Sequence, residues 1–351
     1  STLDRSSAAS DVYKRQQYVL YMENSYHQTT RRNFLNQLGL AAAGMTTVNT
    51  ALATTQYDSG IPRNSVPDRT SDNSAKRVIM ISLDGICVEG FQKAHAPSLK
   101  GMMSQGAFSL DTRVVMPSVT LPNWTSHLTG SGPEQHGVFN NNWTPANSSY
   151  PAVRRDEDGY YPSVFQALKK CQPSCKTAFY YNWKPLAYPF NEKYLDEIKY
   201  LANDAYASNY HQAFQFVKKH RYNPTVVFLY SVHTDHAGHK YGWMSREYLQ
   251  SIEEADQQIG IFFQKLRQED LFNDTHFLFL TDHGGIGKGH GGTGAAEMIV
   301  PWGISGPGIK RNFLISEPNN TTNTAPMLLH LFGGKPLPEW TGKVIESVFP
   351  S

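Results

Sequence analysis

The chain has 351 residues, of which 40% are hydrophobic and 18% are charged, so it is long enough to bury a large core. Its net charge is only +2, and the sequence has no basic run interleaved with aromatic residues, so we expect no nucleic-acid-binding surface. No stretch approaches the roughly 20 consecutive apolar residues that a membrane-spanning helix requires, which predicts a soluble mature protein without a membrane span.

The first 53 residues are interpreted as two segments that precede the mature protein. Residues 1–21 show no apolar periodicity and are interpreted as a non-native, adapter-like segment, with a natural start at Met22. Residues 22–53 place Arg31 and Arg32 before a mildly apolar run and end in a small-residue motif at Ala53, which is typical of a twin-arginine signal peptide. A short amphipathic helix of a cytosolic protein is the alternative. Export by the twin-arginine machinery would place a bacterial protein in the periplasm or outside the cell.

Residues 54–76 are rich in Ser, Asn, Asp, Pro and Thr, which predicts a flexible linker before a catalytic domain at residues 77–351. Within that domain, Cys171 and Cys175 flank a Gln-Pro-Ser turn. In an oxidising compartment the two could pair, and a disulfide and free thiols both remain open.

Three apolar runs rich in β-branched and aromatic residues predict buried strands at residues 78–83, 226–232 and 276–281. Helices are predicted over residues 162–170, 203–219 and 247–267, with Ser245 as the N-cap of the last. Strands that alternate with helices indicate an α/β fold, with a mainly parallel central sheet and helices on both faces.

An aspartate follows each predicted strand, namely Asp84, Asp235 and Asp282. A single aspartate after a strand is usually a helix cap or a turn residue. In open α/β sheets, however, the carboxyl ends of the strands face one crevice where functional residues gather. Three acidic strand ends therefore predict one site.

Histidines accompany two of these aspartates. Asp235 and His239 are four residues apart, which places both on one face of a helical turn. His283 adjoins Asp282, and His290 follows a glycine-rich loop. Carboxylate and imidazole ligands without thiolate suit zinc or a related divalent ion in an open catalytic site. Two divalent ions, with zinc preferred, would neutralise the aspartates and could clamp the attacking and leaving oxygens of a phosphoryl transfer.

Thr120 is the candidate nucleophile. Pro122 is favoured in a first helical turn and Gly130 can end a short helix, so Thr120 is expected just before a helix amino terminus. The exposed amides and the dipole of such a terminus favour an anion, either a threonine alkoxide or a phosphoryl oxygen. Without this context, Thr120 would be interpreted as a helix cap.

The chain contains six sequence blocks whose order and spacing are together specific: SLDG at 82–85, PSVTLPNWTSHLTG at 117–130, PEQHGVFNNNW at 133–143, TDHAGHKYG at 234–242, TDHGG at 281–285 and GHGG at 289–292. From about residue 77 to 349, the chain resembles the type I phosphodiesterase/nucleotide pyrophosphatase family of the alkaline phosphatase superfamily. The resemblance implies an alkaline phosphatase-like fold and hydrolysis of a small phosphoester.

The resemblance also implies residue roles. One zinc would be bound by Asp235, His239 and His290, and the other by Asp84, Asp282, His283 and the Thr120 oxygen. Thr120 would attack the phosphorus to form a phosphothreonine intermediate that water then hydrolyses. Asn141 aligns with an asparagine that holds a phosphoryl oxygen, although Asn140 and Asn142 leave this register open by one residue.

Two departures from the family pattern concern the substrate lobe. Trp124 replaces a histidine found in many relatives and is expected to pack in the core. His283 and His290 are only seven residues apart, without the long insertion of nucleotide-specific relatives. Because the same two-metal core serves either ester, an alkaline phosphatase-type phosphomonoesterase is the alternative, followed by a noncatalytic metal-dependent binding protein. A sulfatase is disfavoured, because position 120 lacks the Cys or Ser that sulfatases modify.

Overall fold

The protein is described by a computed structural model that covers residues 75–148 and 150–350. The adapter-like segment, the signal peptide and most of the linker, all predicted within residues 1–74, lie outside the described residues. Ala75 is buried, and its amide donates to the carbonyl of Leu331 at 2.7 Å. Packing of the domain therefore begins just ahead of its first strand.

A single sheet forms the centre of the described domain. Its strands are β1 (Arg77–Leu83), β2 (Gly106–Arg113), β3 (Lys176–Tyr181), β4 (Glu197–Tyr200), β5 (Thr225–Ser231), β6 (Thr275–Leu280), β7 (Ile299–Ser305) and β8 (Phe313–Leu314). Their order across the sheet is β4-β3-β5-β1-β6-β7-β2-β8. All neighbouring pairs are parallel except those of β7, which runs antiparallel to β6 and β2. The predicted mainly parallel sheet is confirmed.

The three strands predicted from the sequence are β5, β1 and β6, and they lie side by side. Every residue of the three is buried. Ile81 of β1 pairs with Leu229 on one side and with Phe279 on the other. Because these pairs are parallel and in register, the three carboxyl ends meet at one edge of the sheet.

Helices cover both faces of the sheet, as predicted. They are α1 (Val88–Lys93), α2 (Pro97–Ser104), α3 (Thr120–Thr129), α4 (Pro133–His136), α5 (Val164–Cys171), α6 (Tyr206–Lys219), α7 (His233–Tyr241), α8 (Arg246–Gln268), α9 (Ala295–Met298) and α10 (Thr324–Leu331). Helices α1, α2, α6 and α7 pack against α8, whereas α3, α5 and α10 pack against one another. Short 3₁₀ turns occur at Lys184–Ala187, Glu192–Tyr194, Thr321–Asn323 and Glu346–Val348. Within residues 75–148 and 150–350, no helix is long and apolar enough to cross a membrane.

The core lies on both sides of β1 because its side chains alternate. Val78 and Met80 join the cluster that contains Trp124 of α3. On the opposite face, Phe91 of α1 stacks on Phe279 of β6 with ring centroids 5.3 Å apart. A strand buried on both faces explains why its sequence is continuously apolar rather than alternating.

The predicted helices are present with shifted ends. Helix α5 begins after Ser163, whose side chain accepts from the amide of Gln166. Helix α6 begins later than predicted, because Asn203 and Asp204 have φ angles of 59° and 52° and cannot be part of a right-handed helix. Ser245 caps α8, as predicted.

Strand β7 was not predicted, and its sequence explains why. It contains Pro301 and Gly303, which argue against an interior strand. The pairing of β2 with β7 shifts register between Ser109 and Thr112, opposite Pro301. The missing proline N–H therefore falls where the hydrogen-bond ladder is interrupted.

The sequence is compatible with either a disulfide between Cys171 and Cys175 or two free thiols. Both are free thiols in the structure, Cys171 exposed and Cys175 buried. Burial raises the pKa of the Cys175 thiol to about 12, so it is protonated at neutral pH.

Candidate active site

The carboxyl edge of β5, β1 and β6 brings the three predicted aspartates together. Asp84 and Asp282 follow β1 and β6 and are fully buried, and Asp235 lies in the first turn of α7 with 6% exposure. Strand ends in register therefore produce a cluster of three carboxyl groups.

One oxygen of each carboxyl group has no hydrogen-bond partner among the described residues. These atoms are Oδ1 of Asp84, Oδ1 of Asp235 and Oδ2 of Asp282. Within the same part of the chain, only histidines lie within ion-pair distance of the three carboxyl groups. A buried carboxylate oxygen that lacks both a hydrogen-bond donor and a cation is destabilising. The donor set thus fits divalent cations.

The three predicted histidine ligands share one hydrogen-bond pattern, in which Nδ1 contacts a backbone carbonyl. The pairs are His239 with Lys288 at 2.9 Å, His283 with Gly284 at 2.8 Å and His290 with Ser118 at 2.9 Å. A carbonyl oxygen only accepts, so Nδ1 carries the proton and Nε2 keeps its lone pair. Each imidazole is therefore held in the tautomer that binds a metal through Nε2.

The first group of potential ligand atoms matches the set that the family resemblance implies. In this group, Nε2 of His283 is 3.3 Å from Oδ1 of Asp84 and 3.3 Å from Oδ2 of Asp282. All three residues are buried. The three ligand atoms lie within 4.8 Å of one another, close enough to contact one cation.

The second group differs from the implied set. It combines Asp235 and His290, whose Oδ1 and Nε2 are 3.7 Å apart, with His283 instead of His239. The rings of His283 and His290 stack with centroids 3.7 Å apart, which brings both close to Asp235. His239 lies at the rim, 44% exposed, with Nε2 3.5 Å from Oδ2 of Asp235. The imidazole of His283 is thus common to both groups.

Burial and mutual repulsion raise the pKa values of the carboxyl groups. The pKa of Asp84 rises to about 8 through burial and then through the charge of Asp235. Burial and the charge of Asp204 raise the pKa of Asp235 to about 7, and burial and Asp84 hold the pKa of Asp282 well above its usual range. Burial, followed by the charge of His290, lowers the pKa of His283 well below its usual range. Neutral imidazoles are favoured, and cations are needed to keep all three carboxylates ionised at neutral pH.

Thr120 is the first residue of α3, and Val119 is the N-cap. The predicted position just before the helix is wrong by one residue, and Thr120 is not the cap. Gly130 ends the helix with a φ of 64°, as predicted. Oγ1 of Thr120 lies 3.2 Å from Nε2 of His283, and because Nδ1 of His283 donates to a carbonyl, the threonine hydroxyl is the donor. The candidate nucleophile therefore contacts the shared imidazole directly.

Asn141 also reaches the start of α3. Its Oδ1 accepts from the amide of Leu121 at 2.8 Å. Oδ1 of Asn140 instead accepts from the amide of Asn142 at 2.9 Å, in a local turn. Of the three consecutive asparagines, Asn141 is the one beside Thr120.

Two buried aromatic side chains that sequence reasoning did not assign to the site hold Asp84. The hydroxyl of Tyr230 and the indole N–H of Trp124, at 3.4 Å, both donate to Oδ2 of Asp84. Trp124 is fully buried, which confirms that it packs in the core. A tyrosine near the carboxyl end of a buried strand needs a partner for its hydroxyl, and this signal could have identified Tyr230.

Trp243 forms the wall beside the exposed histidines. Its ring packs edge-on against His239 and His290, with centroids 5.2 Å and 5.9 Å away, and its Nε1 donates to the carbonyl of Gly85 at 2.9 Å. A Cβ at Gly285 would lie 2.2 Å from Cε2 of this indole. The close approach explains the second glycine of the TDHGG block.

Comparison with known proteins gives a family match over residues 78–287, to the type I phosphodiesterase / nucleotide pyrophosphatase family. Ectonucleotide pyrophosphatase/phosphodiesterase family member 3 of Rattus norvegicus is 27% identical over 217 residues, which cover 59% of this chain and 24% of that protein. Bis(5'-adenosyl)-triphosphatase enpp4 of Mus musculus is 25% identical over 239 residues, which cover 61% of this chain and 48% of that protein. The alignments thus span between a quarter and a half of these relatives.

Among solved structures, murine ectonucleotide pyrophosphatase / phosphodiesterase 5 in complex with AMP superposes with a TM-score of 0.66 at 15% identity. The match covers 79% of this chain and 100% of that one. At this identity the likeness shows a shared fold, which is alkaline phosphatase-like.

Proposed function

The chain belongs to the type I phosphodiesterase / nucleotide pyrophosphatase family, and from this premise we propose that it is a metal-dependent phosphodiesterase that acts through a phosphothreonine intermediate. The observation that carries the proposal is the convergence of three carboxylate oxygens that lack hydrogen-bond partners with Nε2 of His283 and of His290. Nε2 of His283 also contacts the hydroxyl of Thr120. This set has the composition of a zinc site that is open on one side.

Two zinc ions are proposed. Asp84, Asp282 and His283 would hold one together with the Thr120 oxygen, and Asp235, His239 and His290 would hold the other. When bound, the two ions neutralise the carboxylates, make the Thr120 hydroxyl easier to deprotonate and stabilise negative charge on the phosphoryl oxygens.

In the proposed reaction, Oγ1 of Thr120 forms a bond to phosphorus as the bond to the ester oxygen of the leaving group breaks. The hydroxyl proton passes to solvent, and the leaving group takes a proton from water. In the second step a water oxygen bonds to phosphorus, and Thr120 departs and regains its proton. Asn141, held against the amide of Leu121, would donate from Nδ2 to a phosphoryl oxygen.

The names of the relatives support a diester or pyrophosphate bond as the target. They are phosphodiesterases, pyrophosphatases and a bis(5'-adenosyl)-triphosphatase. Such enzymes hydrolyse a bond at a phosphorus that has two bridging ester or anhydride oxygens. No contact of the described residues favours the phosphomonoester alternative over this class. A small phosphodiester is therefore the proposed substrate.

The test is a comparison of two aryl esters with the full-length, zinc-loaded protein. We expect kcat/KM for bis-p-nitrophenyl phosphate to exceed that for p-nitrophenyl phosphate by at least about tenfold, and EDTA to abolish both activities. Faster turnover of the monoester would overturn the diesterase assignment. Bound zinc without turnover of either ester would support a noncatalytic metal-dependent binding protein.

We also propose export to the periplasm or the medium by the twin-arginine machinery. The support is the pair Arg31 and Arg32 before a mildly apolar run at residues 38–48, followed by a small-residue motif that ends at Ala53. In a bacterium with this pathway, the exported protein should begin at Thr54, and the double substitution Arg31→Lys with Arg32→Lys should leave it inside the cell. Normal export of the double variant would contradict the proposal.

A further inference from the structure

Ser118 joins the loop of the candidate nucleophile to the loop that carries His290. Its backbone carbonyl accepts from Nδ1 of His290 at 2.9 Å. Its hydroxyl donates to the carbonyl of Gly292 at 2.7 Å and accepts from the amide of Gly291 at 3.1 Å. Ser118 is fully buried and lies two residues before Thr120. One residue thus makes three hydrogen bonds across the site.

The loop at residues 289–292 needs such external support because three of its four residues are glycine. Glycine has the largest backbone freedom to lose on folding, and Gly291 has a φ of 108° that other residues rarely adopt. Without side chains, these glycines cannot fix the position of His290 through packing of their own. The loop therefore depends on groups that reach it from neighbouring segments.

Glu297 is the second such group. It is 9% exposed, and its Oε1 accepts from the amide of Gly292 at 2.7 Å. A Cβ at Gly292 would lie 2.5 Å from Oε2 of Glu297, so the carboxylate approaches this backbone closely. Gly292 is thus held by Ser118 on its carbonyl side and by Glu297 on its amide side.

We propose that Ser118 is a positioning residue that couples the placement of Thr120 to metal binding at His290, with Glu297 as the outer support of the same loop. The inference rests on the proposed function for its link to catalysis, whereas its effect on metal binding does not require turnover. Loss of the Ser118 hydroxyl leaves the carbonyl that sets the His290 tautomer but frees the glycine loop. The metal group with Asp235 and His290 should weaken, and the group with Asp84 and Asp282 should not.

The test measures zinc affinity of the full-length protein by competition with a chromophoric chelator. Ser118→Ala should weaken one of the two zinc-binding steps by about 10- to 100-fold and leave the other unchanged. Thr129→Ala is the matched control, since it removes another buried hydroxyl, which donates to the carbonyl of Thr125 within α3 and not to the glycine loop. This control should bind zinc as the wild type does.

A second pair of variants tests the same loop from its other side. Glu297→Ala should weaken the same zinc step as Ser118→Ala, whereas Glu297→Gln keeps an acceptor for the Gly292 amide and should restore most of the affinity. On a phosphodiester, Ser118→Ala should lower kcat with little change in KM, because the substrate contacts remain.

The outcomes separate this inference from the proposed function. If Ser118→Ala binds zinc as tightly as Thr129→Ala at both steps, the positioning role of Ser118 is wrong, whatever the activity. If Ser118→Ala weakens one step but no phosphoester is hydrolysed by the wild type, Ser118 retains its role and the phosphodiesterase proposal fails.

Discussion

Nε2 of His283 lies 3.2 Å from Oγ1 of Thr120. The same nitrogen is 3.3 Å from one carboxylate oxygen of Asp84 and 3.3 Å from one of Asp282. A single lone pair, oriented by the carbonyl of Gly284, therefore faces both the candidate nucleophile and an acidic pair. The candidate nucleophile therefore lies against the group formed by Asp84, Asp282 and His283.

Removal of divalent metal should lower the unfolding temperature of the wild type. Without cations, three buried carboxyl groups repel one another, whereas zinc at 100 times its dissociation constant stabilises the fold by about 2.7 kcal/mol per site. Calorimetry with and without EDTA measures the difference. Asp84→Asn lacks one of the charges, so EDTA should lower its unfolding temperature by less than it lowers that of the wild type. An equal decrease in the two proteins would contradict the account.

Asp84 and Asp235 should each contribute a loss of stability to the metal-free protein as the pH rises from 6.5 to 8. The folded pKa values of Asp84 and Asp235, about 8 and about 7, exceed the usual carboxyl value. In this window these two carboxyl groups bind more protons in the folded state than in the unfolded state, so their contribution to the free energy of unfolding falls as pH increases. Urea unfolding in EDTA at the two pH values measures this slope. Asp84→Asn should flatten it, and an equal slope in the variant would refute the assignment to Asp84.

Tyr230→Phe should weaken zinc binding about tenfold, because it removes a donor that holds Asp84 in its ligand orientation. Tyr180→Phe is the control, since the fully buried Tyr180 also donates to a carboxylate, that of Glu197 at 2.9 Å, away from the site. Chelator competition should show a change for the first variant only. Equal affinities for both variants would exclude Tyr230 from metal binding.

Asn141→Ala should lower kcat on a phosphodiester by about 10²-fold, the loss typical of one missing donor to a transition-state oxygen. Zinc affinity should not change, because Asn141 contacts the amide of Leu121 and no candidate ligand. Asn142→Ala serves as the control, since this side chain is exposed. A larger loss in Asn142→Ala than in Asn141→Ala would show that the register is shifted by one.

His136 should make the fold sensitive to acid. Burial lowers its pKa to about 3, so between pH 6.5 and 3 the unfolded state binds more protons and stability falls as the pH falls. At pH 5 the loss from this one residue is about 2 kcal/mol relative to neutral pH. Denaturant unfolding of the wild type and of His136→Gln at pH 7 and pH 5 gives the free energy of unfolding of each protein at each pH. The difference between the two losses is the contribution of His136. An identical loss in both proteins would mean that His136 becomes protonated in the folded state.

The centre of the fold and the acidic edge of the site could be predicted from the sequence. Strands β5, β1 and β6 are buried on both faces, so their apolar runs stand out, and the aspartate after each run necessarily lies at the same edge. The spacing of Asp235 and His239 likewise predicted a shared helical face, which α7 provides.

Other features depend on tertiary contacts that no local pattern encodes. Strand β7 contains Pro301, which is tolerated only because the register with β2 shifts at that position. The sharing of His283 between two ligand groups follows from its stacking on His290, and that stacking depends on how a glycine-rich loop is held. The hydrogen bond from Tyr230 to Asp84 joins neighbouring strands, and its partner cannot be read from either strand alone.

The most direct measurement concerns Thr120 as the nucleophile. The zinc-loaded protein is mixed with bis-p-nitrophenyl phosphate and quenched in acid within one turnover, and its peptides are analysed by mass spectrometry. One p-nitrophenolate leaves in the first step, so we expect a Thr120 peptide that carries a p-nitrophenyl phosphoryl group. In Thr120→Ala we expect its absence together with a fall in kcat/KM of at least about 10³-fold. Wild-type kcat/KM in Thr120→Ala, with no phosphopeptide in either protein, would contradict the account.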